Sequence, residues 1–398
     1  MNIISLLSAV TAPKSLWVTL INWIESAIGN WGWTIILVTA LIKLVTTPLD
    51  FLVKYNTKRQ TLIQQKCAPQ IAKLQKKFGN DRNAFRLQSQ SIYKREGLDM
   101  RTGCVVMLIN MILSLTIFIT FYNDLRKVSA YEAINQYEQI EATYTDNYYK
   151  SFVDYNSSDE FNSKEDVDTW FASYNELADG DEKQAKTEFI TPYLNYATTQ
   201  ASAAAVDFWK STKSTSSWLW VQNIWVADGT VKPFPFYQSL KSIANNTGYS
   251  DYVANEINET QYDKIATLIT DNATRATNGY YILAILAGLI TFLSQYISEL
   301  HNKLKNKKAN KIAQSSGNET ASTMKIMKFV MPVIMVIFVL SASASFGLYI
   351  LASNVASILL GELTTLAIDA MTKKQRLAIE AELEKEANRL IRKGKFKE

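Results

Sequence analysis

The residue with the most chemical leverage in this chain of 398 residues is Lys43, an ammonium in the middle of an apolar run. Trp31 lies twelve residues before it and Lys54 eleven after it. Either end of the run is therefore roughly 16–18 Å away, at about 1.5 Å per residue. A lysine at the centre of a bilayer costs about 2.5–3.5 kcal/mol on insertion scales, so it needs a partner, a watery cavity or a route to the interface. Thr39, Lys43, Thr46, Thr47 and Asp50 recur at spacings that share one helical face. Asp50, just after Pro48, reads as an interfacial residue near the helix end. Asn110 and Ser114 form a similar stripe in a second apolar run, and Asn354, Ser357 and Gly361 form one in a later run. Three such faces can line a hydrated groove that attracts acidic groups without making or breaking bonds. A second reading stays open for the hydroxyls, because Thr and Ser in helices also bond to their own backbone carbonyls.

No other constellation points to chemistry. Cys67 and Cys104 have neither CxxC nor zinc spacing, and the single histidine, His301, flanks a lysine-rich stretch. No Gly-rich phosphate loop, nucleophile elbow or paired catalytic motif is present. The expectation is a protein without catalytic residues, metal or cofactor, and therefore not an enzyme.

The elements that carry these residues are apolar runs long enough to cross a hydrocarbon layer of roughly 30 Å, which takes about 20 helical residues. Composition averages hide this: the chain is 47% hydrophobic with mean hydropathy −0.07, yet its apolar residues are concentrated in blocks. The blocks predict five transmembrane helices at 31–53, 102–123, 279–300, 329–341 and 348–368, with a short outer turn at 342–347. Reading the last two as one helix from Phe329 to Leu366 would give a rod of roughly 57 Å, far longer than the bilayer core is thick.

Charge sets the orientation. Lys54 to Arg101 holds twelve basic residues against Asp81, Glu96 and Asp99, and Lys303 to Lys328 holds seven lysines against Glu319. The tail at 369–398 is also basic, whereas Tyr131 to Asn278 is acidic. The positive-inside tendency then places the N-terminus outside and the C-terminus in the cytoplasm. The N-terminal residues lack the basic region of a secretory signal peptide, so the expectation is a mature N-terminus.

Between the spans, residues 54–101 show helical periodicity broken once at Phe78–Asp81, with Asp81 suited to cap a second helix. That predicts a cytoplasmic helical hairpin; a merely solvated basic loop is the alternative. Residues 1–30 form an N-terminal interfacial segment. Its Leu16, Leu20, Trp23, Ile24, Ala27 and Ile28 make an apolar stripe opposite Ser15, Asn22, Glu25 and Ser26. The large extracellular region at 124–278 has helix-favouring stretches at Ala130–Thr143 and Lys183–Lys210, and 301–328 is a cytoplasmic basic loop.

Several ordered motifs resemble one known family. They are Gly29-Asn30-Trp31-Gly32-Trp33, Leu41-Ile42-Lys43-Leu44 with Pro48-Leu49, and Pro69-Gln70-Ile71 through Lys76-Lys77. They continue with Ile92-Tyr93-Lys94, Gly103-Cys104, Trp220 to Trp225, Met331-Pro332 and Leu348-Tyr349 with Ser353-Asn354. Together they resemble the YidC/Oxa/Alb membrane protein insertases over about two-thirds of the chain. The departures are Lys43 where the family usually has arginine, Leu360 and Gly361 where it often has glutamines, and an extracellular insertion of about 130–216.

The resemblance implies an all-α polytopic insertase and chaperone in a bacterial plasma membrane. It would move client transmembrane segments from the cytoplasm into the bilayer through a hydrated groove bearing Lys43. Thr39, Thr46, Thr47, Asn110, Ser114, Asn354 and Ser357 would line that groove. Pro69, Lys76, Lys77, Tyr93 and Lys94 would mark a client-receiving hairpin. Arg389, Arg392, Lys393 and Lys395 would touch ribosomal RNA, with a solvated or lipid-touching tail as the alternative. The implied partners are nascent membrane proteins, the Sec translocon, the ribosome, the signal-recognition receptor and the lipid bilayer, the protein acting as a monomer. The rival readings are a small-solute transporter and a membrane-anchored extracellular binding protein.

Overall fold

The computed structural model describes residues 10–78, 81–98, 100–155, 161–229, 231–273, 275–305 and 320–392. Among them the secondary structure is α-helical apart from an isolated bridge between Trp218 and Val221. Three helices, α2 (Trp31–Phe78), α4 (Met100–Asp154) and α12 (Ala344–Arg392), contain stretches long and apolar enough to cross a membrane. Two others contribute shorter apolar stretches: Ile282–Ile297 in α10 (Ile282–Lys305) and Phe329–Ser341 in α11 (Thr320–Ser341). The three long helices run well past any bilayer. At about 1.5 Å per residue, the 48 residues of α2 extend about 72 Å. Each thus joins an apolar span to a polar extension without a break, a continuity that charge counting along the sequence did not reveal.

The chain divides into two compact units. The first comprises Met1–Ile36, Phe121–Ala284 and Phe338–Leu348. It opens on α1 (Leu16–Ile28), whose N-cap Ser15 accepts a bond from the Val18 amide and donates one to Asp124. Val18, Ile21 and Ile24 face inward while Leu16 and Trp23 stay exposed. The single apolar stripe expected for this helix is therefore split, with Ile24 on the packed side. Gly29 ends α1 in the left-handed region, and Asn30 starts α2 by accepting from the Trp33 amide. The Asn30 side chain also donates to the Ser214 and Ser217 carbonyls, which ties the end of α6 (Asp181–Ser216) to this corner.

The outer parts of α4 and α6, with α5 (Lys164–Asn175) between them in sequence, form the helical insertion and bury two cores. One joins Ile134, Tyr137 and Ile140 of α4 to Trp209 of α6 and to Leu240, Val253, Tyr262 and Ile265. The last four belong to α7 (Tyr237–Ala244), α8 (Ser250–Glu256) and α9 (Glu259–Asp271). The other core is rich in aromatics, with Phe152, Phe161, Trp170, Phe171 and Tyr193 linked by ring contacts around Val167, Ile190 and Ala197. Where the chain leaves this module, the buried Asn278 side chain binds both backbone groups of buried Asn223. The Asn223 amide donates to the Asn278 side chain at 2.8 Å, and the Asn278 side chain donates back to the Asn223 carbonyl at 2.8 Å. Such reciprocal bonds satisfy polar groups that would otherwise be costly to bury.

The second unit comprises Leu37–Thr120, Ile285–Ile337 and Tyr349–Glu398. Asp81 caps α3 (Arg82–Arg95) by accepting from the Asn83 and Ala84 amides, as the sequence predicts; Gly79 and Asn80 lie outside the described residues. α3 ends in a Schellman turn. Gly97 takes a positive φ of 77° that disfavours any other residue, and the Leu98 amide reaches back to the Tyr93 carbonyl. Leu98 is buried, as are Leu62 and Cys67 of α2, and Lys66 pairs with Glu96 at 2.6 Å. Elsewhere in this unit α10 and α11 pack closely. A Cβ at Gly288 would lie 2.5 Å from Val336 Cγ2.

Two predictions follow from this packing. Gly288→Val forces α10 and α11 apart and is expected to cost about 1–3 kcal/mol, read as a lower thermal midpoint in detergent. The second concerns the first unit, where burial, followed by the nearby Glu25, pushes the Glu132 carboxyl up to about 7. The folded chain then keeps a proton that the unfolded chain loses above its ordinary value of 4.5. Stability should therefore fall as pH rises from about 4.5 to 7. Denaturant melts of wild type and Glu132→Gln across that window check this, and the variant should show the shallower dependence.

Candidate functional site

Helix α2 carries its polar residues on one face because lysine, threonine and aspartate recur there every three or four positions. Lys43 is half-buried, and the carboxylate of Asp50, two turns further on, attracts its ammonium. Asn110 of α4 donates to that same Asp50 carboxylate at 3.2 Å. The Thr46 and Thr47 hydroxyls both donate to the Lys43 carbonyl, at 3.1 and 2.7 Å. For these two threonines, bonding to their own helix is what the structure contains. Thr39 is fully buried, whereas Ser114 is exposed on α4. Of the stripe residues expected on α4, Asn110 joins the polar face of α2 and Ser114 does not.

A polar recess of this unit lies about three to five turns beyond Lys43 along α2. Residues of α2, α10 and α12 enclose a half-open cavity of about 300 Å³. Ser357, an expected groove residue, lines it together with Lys54, Thr57, Lys58, Glu362 and Asp369. The Lys54 ammonium donates to the Gly361 carbonyl at 3.1 Å and to the Thr364 hydroxyl at 3.3 Å. Lys58 pairs with Asp369 at 3.2 Å. A side chain at position 361 would begin 3.2 Å from the Lys54 nitrogen, so glycine there leaves room for the ammonium to reach the helix carbonyl. Asn354, one turn before Ser357, donates to Thr291 of α10 at 2.9 Å.

The walls around these polar residues are apolar. α4 exposes Val105, Leu108, Ile109, Ile112 and Leu115, and its apolar stretch is almost wholly uncovered by the rest of the chain. Leu289 and Leu293 of α10, and Leu359, Leu363 and Leu366 of α12, are likewise exposed. A helix apolar on all sides and left bare by its own chain suits a lipid or client environment. Arrangement and composition together allow a polar segment to be held by charge and hydroxyls while an apolar one lies against hydrocarbon-like walls.

In the hairpin, Lys76, Lys77 and Lys94 are exposed and Pro69 is half-buried within α2. Burial pushes the half-buried Tyr93 phenol up from its ordinary range. Arg389 and Arg392 fall in the last turns of α12, while Lys393 and Lys395 lie outside the described residues. The site residues that sequence reasoning passed over are Lys54, Lys58, Thr291, Glu362 and Asp369, while Asp50 already belongs to the Lys43 stripe. Lys54 and Lys58 continue that stripe at spacings of eleven and fifteen, a signal that the end of the apolar run had hidden.

The polar recess predicts a labelling pattern. Ser357→Cys, in a background lacking Cys67 and Cys104, should react with a water-soluble maleimide at least five times faster than Leu359→Cys. Adding Gly361→Leu should slow the reaction at position 357, because its side chain intrudes where the Lys54 ammonium sits.

Known proteins share these sequences in part. A family described as the 60Kd inner membrane protein matches residues 23–232 and 209–370. The membrane protein insertase YidC of Aromatoleum aromaticum is 30% identical over 116 residues, 29% of this chain and 19% of that protein. That of Anaeromyxobacter dehalogenans strain 2CP-C is 36% identical over 90 residues, 23% of this chain and 16% of that protein. That of Stenotrophomonas maltophilia strain K279a is 33% identical over 103 residues, 26% and 17% respectively. The matched part thus spans less than a fifth of the length of these relatives. No solved structure matches.

Proposed function

The chain belongs to the 60Kd inner membrane protein family, that of the YidC/Oxa insertases, and from that premise we propose that it inserts client transmembrane segments into a bacterial plasma membrane. The observation that carries the reading is the polar face of α2, where Lys43, Asp50, Lys54 and Lys58 line up among exposed apolar helices. In the bilayer this face forms a hydrated groove. It shortens the apolar barrier for a polar segment crossing outward, and its ammonium groups attract acidic parts of the client. Charges act far more strongly in such a low-dielectric, partly hydrated setting than in bulk water. The client's apolar helix leaves sideways along the exposed leucines of α10 and α12, driven by burial of its own surface in lipid. No covalent step is required, so the protein is not an enzyme and needs no cofactor.

The reading includes the five spans and the orientation drawn from charge, with basic loops and tail in the cytoplasm and 124–278 outside. The short apolar stretches of α10 and α11 then serve as the third and fourth spans. Exposed Lys76, Lys77 and Lys94 of the hairpin receive nascent chains. Arg389, Arg392, Lys393 and Lys395 contact ribosomal RNA through its phosphates, and the Sec translocon and signal-recognition receptor are further partners.

Complementation of a bacterium depleted of its own insertase tests the proposal. Wild type should restore growth and Lys43→Arg should retain most of that function. Lys43→Ala should lower insertion of a charged client about tenfold while leaving an uncharged client less affected. Equal insertion by wild type and Lys43→Ala would remove the electrostatic part. Failure of a well-expressed wild type would remove the general insertase reading.

A further inference from the structure

A second recess lies in the first unit, where α4 emerges at Tyr122 and the turn between α11 and α12 closes over it. It is a half-open cavity of about 680 Å³, within the range of small-molecule sites. Arg126 and Lys232 line it, with the hydroxyls of Ser239, Ser242 and Ser343. No carboxylate is among its described lining residues. That absence is informative because residues 131–278 carry 22 Asp and Glu against 10 Lys and Arg. Lys232 of this acidic segment and Arg126 just before it therefore converge without acids. Neither has a carboxylate partner among the described residues. Arg126 donates to the Asn245 carbonyl at 2.7 Å and lies over the Tyr122 ring, which leaves most of its five donors for other acceptors.

An acceptor-rich anion placed here would meet the guanidinium, the ammonium and the serine hydroxyls together. Arginine suits phosphate in particular, because its planar fork matches two phosphate oxygens. The remaining wall is apolar: Phe236 and Ile243 flank the polar groups and Val231 is exposed at 40%.

We propose that this cavity binds the phosphodiester headgroup of an anionic phospholipid, with its first acyl carbons against Phe236, Ile243 and Val231. The choice of a lipid over a soluble phosphate rests on the apolar rim and on the topology proposed above, which sets Tyr122 at the outer end of the second span. A headgroup held there would anchor the base of the extracellular insertion to the outer leaflet.

The test uses the purified full chain in detergent, titrated by native mass spectrometry with short-chain phosphatidylglycerol, short-chain phosphatidylcholine, glycerol phosphate and an acidic peptide. Phosphatidylglycerol should bind at least ten times more tightly than the other three. Arg126→Gln with Lys232→Gln should weaken it at least tenfold. Ser242→Phe, which fills the cavity from its exposed rim, should also block binding without touching the cations. Unchanged binding in the double variant and in Ser242→Phe would overturn the site. Glycerol phosphate binding as tightly as the lipid would overturn the lipid assignment, and preferential binding of the peptide would overturn the phosphate chemistry. Maleimide labelling of Ser242→Cys in intact cells checks the topology separately. Reaction from outside supports it, and reaction only after permeabilisation removes it whatever the binding ratios are.

Discussion

An ammonium cannot sit in hydrocarbon alone, and the organisation of the membrane-crossing unit follows from that constraint on α2. Lys43 lies far enough from either end of its apolar run that it must be answered locally. Asp50, two turns on along the same helix, acts on it through space without an ion pair, and Asn110 of α4 donates to Asp50. Further along, Lys54 and Lys58 are answered by α12, through the Gly361 carbonyl, the Thr364 hydroxyl and Asp369. These polar contacts are few, and each cation keeps capacity for another partner. The groups facing outward from α4, α10 and α12 are by contrast leucine, isoleucine and valine. A polar track beside bare apolar walls is the physical basis for treating this unit as a place where a foreign helix can be received.

The first unit obeys a different rule: it is held by dense aromatic packing and by backbone bonds that leave little freedom. Trp31 and Trp33 at the start of α2 contact Trp225 and Trp218 edge to face, at 5.1 and 5.7 Å. The Ala344 and Ser345 amides donate to the Val226 and Ile224 carbonyls, which fixes the turn before α12 to the segment containing Trp225. Asn30, Asn223 and Asn278 complete this set of ties, each bridging segments remote in sequence.

Much of this was legible in the sequence. The apolar blocks predict the regions that became α2, α4, α10, α11 and α12, and Asp81 correctly marks the start of α3 because its short side chain caps exposed amides. Lys43 stands out by its depth in an apolar run, and Ser357, singled out by helical spacing, lines the recess of this unit. What stayed hidden depends on contacts between helices. Asp50 looks like a boundary residue until Asn110 is seen beside it, and Lys54 and Lys58 look like ordinary positive-inside lysines until Gly361 and Asp369 are placed opposite. Gly361 itself reads as a lost glutamine, whereas in the structure its missing side chain is what admits the Lys54 ammonium. The helix α1 shows the same limit, since one stripe of apolar residues cannot say which of them another helix will cover.

The most direct test of the central claim is site-specific photo-cross-linking to a ribosome-stalled, single-span client. Photoreactive residues would be placed at Thr47, Ser357 and Leu359, and at Phe189 in the outer insertion. The account predicts client adducts from Thr47 and Ser357 while the client's polar flank is crossing. It predicts adducts from Leu359 once the apolar helix has emerged, and none from Phe189. Adducts confined to Phe189, or none from the two groove positions with a client that inserts normally, would contradict it.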